Sequence, residues 1–93
     1  MVYVISIGKV KNYDEWLPTF AEDGPLLKAN GGVSARALQG LDDPNLIVVI
    51  SEWENMNDAK KFAESDELRA RMQVGGVIGK PEIYFLEEKL VLF

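Results

Sequence analysis

Apolar residues recur along the chain in two rhythms, one of strands and one of helices. "VYVISIGKV" (Val2–Val10) and "LIVVISEW" (Leu46–Trp53) hold β-branched and aromatic side chains on both phases of a two-residue repeat. That is the pattern of strands covered on two sides. Tyr13, Trp16, Leu17 and Phe20 fall at i, i+3, i+4 and i+7, one stripe of an amphipathic helix. Asn12 and Glu15 suit a capping box at its start. Pro18 lies inside the stripe and, lacking a donor, is expected to kink the helix or split off its first turn. Gly24-Pro25 interrupts again, and Pro25 opens a short helix with Leu26, Leu27 and Ala29, closed by Gly31-Gly32. "VSARALQG" (Val33–Gly40), smaller and more polar, reads as an edge strand. "LDDPN" (Leu41–Asn45) is a dense turn signal, so the second and third strands form a hairpin. Asn57 is the expected N-cap of a helix with Ala59, Phe62 and Ala63 inside, and Ser65 recaps a segment carrying Leu68 and Met72. "VGGVIGK" (Val74–Lys80) reads as a glycine-rich loop before the strand and apolar tail of "PEIYFLEEKLVLF".

The element order is β-α-β-β-α-β, a ferredoxin-like α+β domain spanning residues 1–93 as a single unit. Its four-stranded antiparallel sheet is expected to place the two most apolar strands, the first and third, at the centre. The helices cover one face only. The other face carries about half of each apolar strand, more than monomers usually expose. A second copy packed sheet against sheet about a two-fold axis is the simplest cover. We therefore expect a homodimer through the sheet face and the C-terminal tail "LVLF".

Composition narrows the chemistry. Net charge is −5 and no basic run exceeds Lys60-Lys61, so the stripe a nucleic-acid or anionic-membrane binder needs is missing. There is no cysteine and no histidine. Thiol catalysis, zinc–thiolate sites, the commonest neutral-pH base and the usual axial ligand of haem are thereby excluded. The longest apolar run is too short for a membrane helix. A soluble cytoplasmic protein using no metal and no cofactor is the expectation.

In the order and spacing of its elements the chain resembles the dimeric α+β barrel superfamily, which includes the cofactor-free antibiotic-biosynthesis monooxygenases and small stress-response barrel proteins. The resemblance rests on the helical aromatics Trp16 and Phe20, the "DDPN" hairpin, the "SEW" strand end, the "DAKKF" helix opening and the final "PEIYFLE" strand. It implies two sheets enclosing a barrel, helices outside, and a ligand cavity between sheet and helices of each subunit. The activities it implies run from ring oxidation through isomerisation to haem breakdown. The missing histidine argues against the haem branches.

Candidate site residues follow from both sources. Trp16 and Trp53 suit a pocket for a flat aromatic ligand, although core packing is the commoner role of large aromatics. Tyr3 and Tyr84 offer hydroxyls that can orient a phenolic ligand, and a satisfied core or rim tyrosine is the plainer alternative. Glu52 shares a strand phase with Val48 and Ile50. With residues 40 and 46 paired, Ser34 lies opposite Glu52 and Arg36 is a diagonal neighbour. Arg36 and Glu52 are thus the candidate catalytic pair, for proton transfer, or else a structural ion pair or an exposed strand end. "GGVIGK" lacks the first glycine and the following Ser or Thr of a phosphate loop. The first functional reading is binding of a small apolar or aromatic molecule. Cofactor-independent monooxygenation or isomerisation of an aromatic, polyketide-like substrate is the second, and a non-catalytic structural dimer the third.

Overall fold

The computed structural model describes all residues from Met1 to Phe93. Four strands, β1 (Val2–Val10), β2 (Gly32–Gln39), β3 (Leu46–Trp53) and β4 (Val77–Glu87), form one antiparallel sheet of order β2-β3-β1-β4. Two pairs of helices connect them: α1 (Tyr13–Ala21) with α2 (Gly24–Ala29), and α3 (Met56–Ala63) with α4 (Asp66–Gly75). The chain is thus a ferredoxin-like α+β fold with its two most apolar strands central. No helix is long and apolar enough to cross a membrane.

Local chemistry accounts for most boundaries. Asn12 accepts the Glu15 amide at 3.2 Å and starts α1. Pro18 does not split off the first turn; a single helix runs through it. Proline lies in the first turn of α2, where its missing donor matters least. Asp43 closes the hairpin by accepting the Asn45 amide at 3.0 Å and an ion pair from Lys9 at 2.9 Å. The Lys9 ammonium, with the Asn45 amide, holds its carboxyl below the usual range. Ser65 accepts the Leu68 amide and starts α4.

Two expectations are corrected. Asn55, not Asn57, caps α3, accepting the Asp58 amide at 2.8 Å, while Asn57 lies within the helix. An asparagine at either position satisfies the same rule, and only Asn55 has extended backbone. The glycine-rich segment is not a loop. Val74 and Gly75 complete α4, Gly76 caps it with φ at 78°, and β4 begins at Val77. Only a residue free of a Cβ takes that left-handed turn without strain, so the glycines make a sharp helix-to-strand corner. Pro81 is tolerated because β4 is an edge strand, beside an irregularity in register between Ile7 and Lys9.

Alternate residues divide the sheet into two faces. On the helix face, Val2, Val4 and Trp53 pack with Ala59 and Phe62, while Val10 and Ile47 pack with Trp16. Removing 150–250 Å² of one buried aromatic from water is worth up to about 4–6 kcal/mol at 25 cal/mol per Å². Packing alone therefore accounts for Trp53 being 1% exposed. The other face carries Tyr3, Ile5, Ile7, Val48 and Ile50, only partly buried, with Leu38, Tyr84 and Leu86 exposed. Leu90 to Phe93 follow β4 as an exposed apolar segment without regular structure.

Candidate functional site

The sheet forms the floor of a cavity of about 110 Å³, and the four helices form its roof. Its floor repeats the strand phase: Val4, Ser6 and Gly8 of β1 beside Val49, Ser51 and Trp53 of β3. Gly8 lets β1 and β4 approach closely there, since an added Cβ would lie 3.1 Å from that of Pro81 and push it back by a few tenths of an ångström. The walls are aromatic. Trp16 stacks on Phe20 with ring centroids 5.0 Å apart and planes at 14°, and Trp53 meets Phe62 at 5.5 Å.

Polar groups are few. Trp53 Nε1–H donates to Ser51 Oγ at 2.8 Å. Ser6 contributes a second hydroxyl from β1. At the edge, Arg71 of α4 donates through Nε to Asp23, between α1 and α2, and through Nη2 to the Thr19 carbonyl at 3.2 Å; Glu22 lies 3.5 Å away. Arg71 is the only cationic side chain lining the cavity, and these partners neutralise it. The chamber is therefore apolar, with an ion pair closing one side and a hydroxyl-bearing floor. No group of three or more acidic side chains is placed to hold a metal ion.

The six candidate residues from the sequence separate into two groups. Trp16 and Trp53 line the cavity. Tyr3, Arg36, Glu52 and Tyr84 lie on the opposite face of the sheet. The register expected for the hairpin is the one observed, with Ser34 opposite Glu52 and Arg36 opposite Ile50. Arg36 and Glu52 nevertheless form no ion pair. Tyr3 donates its hydroxyl to Glu88 at 3.0 Å. That bond, with burial and the neighbouring Glu52 carboxylate, pushes the phenol up to about 12. Tyr84 donates to Glu82 at 2.6 Å, which raises its phenol too. The sequence reading does not point to the four polar side chains of the cavity, Ser6, Ser51, Asp23 and Arg71. Ser51 is in phase with Ile47, Val49 and Trp53, and Arg71 follows Leu68 by three, so both periodicities held the signal.

Fold and cavity together define a ferredoxin-like α+β protein with an apolar chamber between sheet and helices. Residues 9–74 match the antibiotic biosynthesis monooxygenase family, and the chain belongs to that family. No curated protein matches it in sequence. Among solved structures it is similar to SnoaB, a cofactor-independent oxygenase from Streptomyces nogalater, at 16% identity and a TM-score of 0.80. That match covers 98% of this chain and 95% of that one. A Bordetella bronchiseptica protein provisionally described as an antibiotic biosynthesis monooxygenase matches at 15% identity and 0.81, covering 96% and 97%. A conserved protein from Methanosarcina mazei matches at 18% identity and 0.74, covering 95% and 92%.

Proposed function

We propose that the chain binds a small, electron-rich aromatic molecule in this cavity and oxygenates it with dioxygen and no cofactor, working as a homodimer. Trp16 and Trp53 carry this reading, because both tryptophans of the chain wall one apolar chamber. The volume of about 110 Å³ is on the scale of the roughly 150 Å³ cavity that admits benzene. A single ring is the matching size. Family membership and the SnoaB-like fold support oxygenation.

The reaction needs little from the protein. A phenol with a free para position reacts with dioxygen to give the para-quinone and water. One oxygen atom enters the ring, the other leaves as water, and the substrate supplies all four electrons. The protein's share is to hold the ring, exclude water and stabilise charge developing on the phenol oxygen. Tyr3, Arg36, Glu52 and Tyr84 are assigned in this proposal to the contact between subunits, because they lie on the face no helix covers.

Both tryptophans line the chamber, so their emission reports its occupancy. Titration with 2,6-dimethylphenol is expected to quench it saturably. An oxygen electrode is expected to record uptake of one dioxygen per 2,6-dimethylbenzoquinone formed. Saturable quenching without uptake would leave a binding protein and remove the oxygenase. No saturable quenching would remove the ligand site itself.

A further inference from the structure

Ser51 is the single buried polar residue of the chain, 7% exposed, in the otherwise apolar run of β3. Its Oγ accepts the Trp53 indole N–H at 2.8 Å. A serine hydroxyl has two lone pairs and only one hydrogen. With the indole on a lone pair, that hydrogen points away from Trp53, and no protein atom accepts it. Ser51 pairs across the sheet with Val4 and Ala35, and neither side chain has an acceptor. The side chain lines the cavity. An unspent donor in apolar surroundings is costly, and the bond from the indole polarises it further.

We infer that Ser51 is an oxygen-binding residue whose hydroxyl donates to a carbonyl or phenolate oxygen of the aromatic ligand, with Trp53 as the positioning residue that orients it. This rests on the cavity reading above and specifies which feature of the ligand the floor recognises. The hydroxyl of Ser6, diagonal to Ser51 across the β1–β3 pair, also has no protein partner and extends the same polar strip. In the oxygenation proposed, the donor faces the atom that changes from phenolate to quinone carbonyl, an acceptor throughout.

Acetophenone and ethylbenzene test this, since they share a ring and a similar shape but only the first has an acceptor. Binding to the wild-type chain and to Ser51→Ala is followed by tryptophan emission. The variant is expected to lose about three- to tenfold in acetophenone affinity, the usual worth of one neutral hydrogen bond, and to keep ethylbenzene affinity within about twofold. Equal losses for both ligands would overturn the assignment. Infrared spectroscopy of ¹³C-carbonyl acetophenone on the wild-type chain needs no variant, and its band is expected below the frequency in hexane. An unshifted band would overturn the assignment even if Ser51→Ala fails to fold. Trp53→Phe keeps a ring and removes the indole N–H, so a smaller carbonyl shift is expected there. An unchanged shift would remove Trp53 from the positioning role. Failure of both ligands to bind the wild-type chain overturns the cavity reading, and the assignment with it.

Discussion

Tyr3 and Ser51 sit on neighbouring strands yet answer to opposite surroundings. The Tyr3 hydroxyl donates to Glu88, with Glu52 close by, and its phenol is raised from 10.0 to about 12. A raised acid is favoured neutral in the folded chain. Its contribution to stability is therefore complete below the unfolded value and is lost as pH rises through the folded one. An absorbance titration is expected to show one phenol ionising near 12. Glu88→Gln is expected to bring that midpoint down, because the carboxylate bond is its largest cause. A midpoint unmoved by the substitution would remove Glu88 as the origin. The tryptophans were legible in the sequence because large aromatics on a periodic stripe announce themselves. Ser51 was not, since a serine inside an apolar run looks like an interruption until its phase is matched with Val49 and Trp53. The hairpin spacing read from the sequence makes Arg36 and Glu52 near neighbours, as they are in the fold. Sequence phase placed Glu52 with Val48 and Ile50, but did not say which face of the sheet the helices would cover.

At the scale of elements, the Arg71–Asp23 pair ties α4 to the corner between α1 and α2. Asp23 is 14% exposed at its side chain and Arg71 29%, so solvent screens the pair only in part. Asp23→Asn leaves Arg71 with the Thr19 carbonyl and the looser Glu22. We expect it to cost about 1–2 kcal/mol, less than breaking a fully buried pair. A urea melt with an unchanged midpoint would show that the helix corner is held by apolar packing alone. Most elements were legible because caps and turns are local: Asn12, Ser65 and the Asp43 turn lie within a few residues of the groups they satisfy. The corner at Gly76 reads as a loop in the sequence for a physical reason. Glycines signal freedom from φ constraints, and that freedom serves a tight helix-to-strand turn as well as it serves a loop. The long-range Arg71–Asp23 pair had no local signature at all.

For the whole molecule, the question is what covers the second face of the sheet. Ile5 lies at the middle of β1, opposite Ile50 on one side and Tyr84 on the other, with no helix above it. In a sheet-to-sheet dimer a carboxylate there would be buried with no cation at either facing position, at a cost of several kcal/mol. Wild-type protein is expected to sediment at twice the chain mass of 10.4 kDa, and Ile5→Glu at the single mass with its circular dichroism kept. A wild-type chain running at the single mass would remove the dimer from the proposal. The two faces are written on alternate residues of the same strands: Val4 and Ser6 turn to the chamber, Tyr3 and Ile5 away from it. A lineage descended from this chain therefore carries two interleaved alphabets in one stretch of sequence. Under the proposed function, substitutions in one phase revise which molecule is held, those in the other revise how two copies meet, and neither has to wait for the other. A single-residue deletion in β3 is the event such a lineage does not survive, because it exchanges the two alphabets at once.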